Sequence, residues 1–513
     1  MNNKLATTVP VLSLLFAVLL NTHATTAGES IPIGERLSEA CTVGGEFISW
    51  REHIIDGPAV AGFNLSGSDG LVMADIDGDG FEDIVSVHES DSDYDSSRYD
   101  PDFVPPAAGH VRIAFGSANP QRWHNVTLAE GEDSPAPEDA AIADVNGDGL
   151  LDIIVAAELS HLLYLQNPGT NSRSGQWPRL ILPPTRGRGS FIRVFFADFN
   201  GDGIPEVAAA NKGSQRPGPK EYASKTPVMI YQLRGDPLKG DSWQEKILGR
   251  YAIPQNAEPI DLDGDGDEDL LVGSRGEDRL ILFNNISDTE LRFAEQAITI
   301  DGGTMGGFNL AYADLNGDGR LDIIGASNRG LAWIAQPLTL DKPWLLHTIG
   351  DFTPDNIVGL TVADIDGDGD SDIIAGSYSL GPRTGDGDVD SNDALGRLGW
   401  FQNPGVGEKT WTRHDISRRK RGMFDKFIAR DIDRDGDIDF VATRGNSAPF
   451  DGVFWLEQRR NKHALPAFQA ARDNESPEMT LPETLTTKLT TSRDREKNAD
   501  CDAKHHLNLL PNQ

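Results

Sequence analysis

Apolar residues in this 513-residue chain fall in short runs that do not recur at helical spacing. Runs such as Ile153-Ile154-Val155 and Ile373-Ile374-Ala375 are too short for a helix and rich in β-branched residues, as buried strands are. Each follows a strand-like run ending in alanine, Leu71-Val72-Met73-Ala74 or Leu360-Thr361-Val362-Ala363. A third run alternates aromatics, Leu162-Leu163-Tyr164-Leu165 or Leu398-Gly399-Trp400-Phe401, and closes on an Asn-Pro-Gly turn (Asn167 to Gly169, Asn403 to Gly405). A fourth reads Trp-x-x-His-x-Ile or close to it: Trp123-His124, Trp344 with His347 and Ile349, Trp411 with His414 and Ile416.

Between the first and second runs stands an aspartate-rich nonapeptide. It begins at Asp75 (DIDGDGFED) and returns at Asp144, Asp198, Asp261, Asp314, Asp364 and Asp431, with successive starts 50 to 69 residues apart. Four strands per repeat, seven times over, predicts an all-β, seven-bladed β-propeller of four-stranded antiparallel blades. The two ends complement each other. Trp50, His53 and Ile55 form a fourth-strand signature with no loop before it, and the last repeat stops at a third strand, Val453 to Glu457. Phe47 to Asp56 is therefore expected to complete the seventh blade and close the ring, removing an open sheet edge. The propeller is predicted over residues 47–458.

Calcium takes six to eight oxygen ligands, and a tight loop of carboxylates plus one carbonyl supplies them. In the first copy Asp75, Asp77, Asp79 and Asp83 are the carboxylates and Phe81 offers its carbonyl. The corresponding sets are Asp144, Asn146, Asp148, Leu150 and Asp152, then Asp198, Asn200, Asp202, Ile204 and Glu206. The fourth and fifth are Asp261, Asp263, Asp265, Asp267 and Asp269, and Asp314, Asn316, Asp318, Arg320 and Asp322. The last two are Asp364, Asp366, Asp368, Asp370 and Asp372, and Asp431, Asp433, Asp435, Asp437 and Asp439. Glycine holds the sixth position in all seven, where a sharp turn is needed. An EF-hand is excluded, because the twelfth position carries Ser86, Val155, Ala209, Val272, Gly325, Ala375 or Ala442 instead of glutamate, and a strand follows. Up to seven structural Ca²⁺ ions are expected, with lower ligand charge where asparagine stands third.

These loops resemble the FG-GAP or VCBS repeats, which also build the head of the integrin α-subunit. The resemblance covers roughly Trp50 to Gln458, and Gly62-Phe63-Asn64 and Gly307-Phe308-Asn309 look like its Phe-Gly element. It implies a propeller whose calcium is structural, and says little about function.

The first residues follow a secretory layout: Lys4, an apolar run from Val9 to Leu20, and small residues at Ala24 and Ala27. A signal peptide over 1–27 and a lead over 28–46 are predicted, hence a secreted or periplasmic, monomeric protein that does not span a membrane. With 80 acidic against 46 basic residues the formal charge is −34, which argues against nucleic acid and favours cations. Cys41 and Cys501 are the only cysteines; the sequence leaves their pairing open, but two cannot build a disulfide framework or a zinc site. Residues 459–513 are polar and predicted to form a disordered tail.

If the aspartate loops join first and second strands, the second-to-third loops and the blade connections share the opposite face. The long loops there carry Tyr94, Arg98, Tyr99, Lys212, Tyr222 and Arg383. The connections bring Glu138, Asp139, Arg193, Asn256, Glu258, Asn309, Asp425 and Lys426 towards the axis. Arg193, Lys212, Tyr222, Arg383 and the Tyr94–Arg98–Tyr99 group are the candidate ligand contacts, for a glycan or an extracellular protein. The alternative is a carbohydrate-active enzyme, a polysaccharide lyase or sugar dehydratase, on the same scaffold. No nucleophile elbow or zinc motif is present, so its acid-base candidates are His88, His110 and His161, which lie off the recurring fourth-strand position.

Overall fold

The computed structural model describes residues 31–90, 95, 108–327, 330–383, 387–407, 410–485 and 501. Seven sheets are arranged as the repeat predicts. Blade one contains Ser68–Ala74, Asp83–His88, His110–Phe115 and His124–Glu130. Blade two contains Pro137–Ala143, Asp152–Ala157, Leu162–Leu165 and Arg179–Ile181. Blade three contains Phe191–Ala197, Glu206–Asn211, Thr226–Leu233 and Trp243–Tyr251. Blade four contains Pro254–Ile260, Asp269–Ser274, Arg279–Asn285 and Phe293–Ala297. Blade five contains Leu310–Ala313, Asp322–Ser327, Gly330–Ala335 and Trp344–Gly350, with Ile300–Asp301 added in parallel at its outer edge. Blade six contains Ile357–Ala363, Asp372–Ser377, Gly396–Gln402 and Thr412–Arg419. Blade seven contains Phe427–Arg430, Asp439–Arg444 and Gly452–Asn461, completed by Phe47–Asp56.

That completion closes the ring. Phe47 faces Asn461 and His53 faces Trp455 in an antiparallel ladder. Hydrophobic clusters fill all seven blade junctions. Neighbouring second-strand residues explain why those strands read as continuous apolar runs: Ile153 packs between blades one and two, and Ile154 between blades two and three. The junction of blades seven and one is filled in the same way, by Ile55, Leu71, Ile84, Val441 and Trp455. First strands of successive blades contact each other and so surround the axis. In five of them the ladder slips near its start, at Ser68/Leu71, Pro137/Asp139, Phe191/Val194, Pro254/Asn256 and Ile357/Gly359. Such bulges re-aim side chains at a rim. Here they fall on the residues that ring the axis.

The expected disordered tail from 459 is corrected by the structure. The last strand runs on to Asn461, Phe468–Gln469 pairs in parallel beside Trp50 and Arg51, and Leu481 is buried. Polar composition concealed this docking, because it depends on charge pairing more than on an apolar face. Glu475 pairs with Arg444 and Glu478 accepts from Ser417 and the Arg418 amide. The lead packs against the same segment, Leu37 bridging to Pro466, and Cys41 is disulfide-bonded to Cys501 with Cα atoms 5.9 Å apart. Residues 1–27, expected to be a signal peptide, and the stretches 486–500 and 502–513 lie outside the described residues. No helix among the described residues is long and apolar enough to cross a membrane.

Candidate metal loops and ligand-binding face

Every aspartate loop joins a first strand to a second and is built alike. The sixth-position glycine takes a left-handed conformation, φ 89° at Gly80 and 96° at Gly266, which only glycine adopts without strain. Its amide then donates to the first-position carboxylate in all seven copies, at 2.7 Å from Gly319 to Asp314 and 2.9 Å from Gly80 to Asp75. The first-position carboxylate is thereby fixed in every loop, and in four loops the acids converge. One oxygen from each of Asp75, Asp77 and Asp83 lies within 4.8 Å of the others, and the same holds for Asp261, Asp263 and Asp265, for Asp364, Asp366 and Asp372, and for Asp431, Asp433 and Asp439. These are the four copies without a third-position asparagine. The donor set fits a hard divalent cation. In the first copy Arg173 from blade two already reaches Asp77 and Asp79, at 2.5 and 2.7 Å.

The ninth-position acid also pins the blade internally. Asp372 Oδ2 accepts from the Ile365 amide at 2.9 Å and Oδ1 from the Asn403 amide at 2.8 Å, tying the loop to the end of the third strand. Asp439 does the same with Ile432 and Gln458, and Asp269 with Leu262 and Asn285. Burial raises these carboxyls, Asp83 to about 6 and Asp372 and Asp439 to about 8. An amide side chain at the end of the third strand then reaches the preceding blade. Asn167 Nδ2 donates to Ile76 O at 2.9 Å, Asn285 Nδ2 to Phe199 O at 2.8 Å and Gln458 Nε2 to Ile365 O at 3.1 Å. The Asn167-Pro168-Gly169 turn is thus a joint between blades as well as a turn.

On the opposite face the bulged strand starts converge on a cavity of about 180 Å³ at the axis, lined by Arg193, Asn256, Glu258, Asn309, Asp425 and Lys426 among others. Much of this ring satisfies itself. Arg193 Nη2 donates to Asp425 Oδ2 at 2.5 Å and to Asn309 Oδ1 at 2.8 Å, with its guanidinium 4.5 Å from the Phe308 ring centre. Tyr312 and Asn256 both donate to Glu258 Oε2, at 3.1 and 3.3 Å. Two polar atoms are left over: Arg193 Nε and Asn256 Oδ1 are buried with no hydrogen-bond partner among the described residues.

The FG-GAP-like repeat family matches residues 75–155, 144–209 and 261–325, each match running from one aspartate loop into the second strand that follows the next. The chain carries FG-GAP-like repeats. A comparison with curated protein sequences found no match. Among solved structures the chain is similar to an Agrocybe aegerita lectin, described for its specific recognition of non-reducing terminal N-acetylglucosamine (16% identity, covering 80% of this chain and 94% of that one, TM-score 0.41). It is also similar to a Bacillus licheniformis rhamnogalacturonan lyase (14% identity, 86% and 76% covered, TM-score 0.41).

The candidate ligand contacts separate in space. Arg193 lines the axial cavity, and Tyr222 is exposed on a short helix, Pro219–Ala223, within the second-to-third loop of blade three. Lys212 and Arg383 are buried, Lys212 bonded to Glu158 and Arg383 to Glu89. Tyr94, Arg98 and Tyr99 lie outside the described residues. The recurring fourth-strand histidines stack on third-strand aromatics, His53 on Trp455 and His347 on Trp333 at 4.3 Å, and His414 on Trp400 at 4.4 Å. The three acid-base candidates are engaged elsewhere and none lines the axial cavity. His88 is fully buried between Ser68 and Ser86, and burial lowers it to about 4. His110 contacts Ser90 and stacks on Phe63, while His161 contacts the Asp133 carbonyl.

Sequence reasoning missed Asp69, Glu89 and Glu158, which are buried beside Glu138 and Lys212. A signal was available in the register of the FG-GAP-like repeats. Fourteen residues after the first aspartate of blades one to three stand Glu89, Glu158 and Lys212, and six before it in blades one, two and seven stand Asp69, Glu138 and Asp425.

Proposed function

We propose that the protein is an exported, calcium-stabilised β-propeller that binds a hydroxyl-bearing ligand, a glycan or a glycan-decorated protein, on the face opposite the aspartate loops. The observation that carries this reading is the pair of unpartnered atoms at the axial cavity, Arg193 Nε and Asn256 Oδ1. One is a donor and the other an acceptor, and hydroxyl groups supply both functions. Leaving them unmade costs ~1–3 kcal/mol each, which a bound ligand recovers. The cavity, at about 180 Å³, is below the ~300–1,000 Å³ of sites that enclose a drug-sized ligand. It would therefore take one terminal residue of a chain, with the rest of the ligand lying across the rim. Export is supported by the Cys41–Cys501 bond, since disulfides persist in oxidising compartments. Calcium is supported by the four inward-facing carboxylate triads.

The test is retention of the purified protein on immobilised neutral and acidic polysaccharides. The wild type should be retained by at least one, and Asn256→Ala and Lys426→Ala should each weaken retention at least tenfold, with the folded state of each variant verified by circular dichroism. Retention by none of the polysaccharides, or retention untouched by both substitutions, would overturn the reading.

A further inference from the structure

A second cluster of acids lies on the ligand face, away from the aspartate loops. Asp69 and Glu138 sit at the bulged starts of the first strands of blades one and two, and Glu89 follows directly on the second strand of blade one. One carboxylate oxygen of each lies within 4.8 Å of the others, and all three residues are buried, Asp69 and Glu89 being 1% exposed. With Glu158 there are four buried carboxylates, and the two bases bonded to them are Lys212 on Glu158 and Arg383 on Glu89. Arg193, the next cation along the axis, is taken by Asp425. Asp69 and Glu138 remain without a bonded base, and burial raises both carboxyls well above the ordinary carboxylate range.

A group of acids could simply hold one another's protons, but Asp69 carries a further observation. Neither of its carboxylate oxygens has a hydrogen-bond partner among the described residues. A protonated carboxyl donates, and a carboxylate at this depth accepts, so a 99%-buried side chain that does neither is missing a ligand. One of its oxygens lies within 4.8 Å of an oxygen of Glu89 and of one of Glu138, so a cation placed between them would draw on all three residues.

We propose that Asp69, Glu89 and Glu138 bind one hard divalent cation of the calcium type, separate from those of the aspartate loops. The charge matches, since a doubly charged ion neutralises the two unpaired carboxylates. Three carboxylates supply three to six oxygens, and water completes the shell. The site joins blade one to blade two at the axis, where no aspartate loop reaches.

The direct test uses the full chain, stripped with chelator and crystallised with Mn²⁺, whose anomalous signal locates it. A peak between Asp69, Glu89 and Glu138 is expected. In equilibrium dialysis with Ca²⁺, Asp69→Asn and Glu138→Gln should each bind one equivalent less per chain than the wild type, with unchanged melting in excess chelator. Anomalous peaks at the aspartate loops alone, or equal calcium content in the wild type and both variants, would overturn the proposal and assign the charge balance to protons. The wild-type crystal decides the matter even if a variant fails to fold.

Discussion

Arg444 Nη1 donates to Glu475 Oε1 at 2.8 Å, and through this pair the C-terminal segment is fastened onto the seventh blade. Arg419, itself bonded to Glu52 at 2.8 Å, lies 3.8 Å from the same carboxylate, and Arg418 Nη1 donates to the Thr480 carbonyl at 2.6 Å. These arginines are almost wholly buried. Removing one partner of a buried pair strands the other charge, at a cost of ~3–5 kcal/mol. Glu475→Gln should lower the unfolding free energy in urea by that amount, and truncation after Arg472 by at least as much. A loss under ~0.5 kcal/mol in both would mean that the segment is not fastened.

Two groups make acid-sensitive contributions in separable windows, opposite in sign to those of the loop carboxyls that burial raises. Burial lowers His88 from 6.5 to about 4, so between those values the unfolded chain binds a proton that the folded protein refuses, and the contribution of His88 to stability falls as pH drops from 6.5 to 4. Burial alone would raise Glu475, but Arg444 and Arg419 outweigh it and hold the carboxyl at about 2. Its contribution is complete above the unfolded value of 4.5 and is lost as pH falls towards 2. Each shift corresponds to about 3 kcal/mol. Denaturation midpoints measured from pH 7 to 2 should show the upper window flattened in His88→Gln and the lower in Glu475→Gln; parallel profiles for all three proteins would refute the assignment.

The joints between blades give a third expectation. Asn285, which is buried, donates from Nδ2 to the Phe199 carbonyl of blade three and, at 3.1 Å, to the Glu268 carbonyl. Asn285→Ala leaves both carbonyls unpaired and should cost ~1–3 kcal/mol. Asn285→Asp sets a carboxylate against them and should cost more. Thermal unfolding of the two variants checks the order, and an aspartate variant as stable as the wild type would contradict it.

The fold was legible because the aspartate loop fixes a register and the alternation around it repeats. Even the closing strand, Phe47–Asp56, announced itself through Trp50 and His53. The docked segment did not, since its one apolar stretch, Ala464 to Ala471, is short and interrupted by Pro466, and the partners of Glu475 and Glu478 are distant in sequence. The polar ring at the axis was foreseen, but its two unpartnered atoms depend on which neighbours satisfy which side chains. Asp69 was overlooked although the repeat register marks it, six residues before the first loop aspartate, because its closeness to Glu89 and Glu138 exists only in the fold.

The aspartate loops are proposed to hold calcium in the folded protein only. Each such site stabilises the fold by RT ln(1 + [L]/Kd), ~2.7 kcal/mol at a hundredfold excess of calcium over Kd. The measurement is a calorimetric melt of the wild type in calcium and again in excess chelator, with metal content assayed in both. A melting temperature that falls on chelation and returns when calcium is restored is the predicted result; superimposable melts, with metal loss verified, would contradict it.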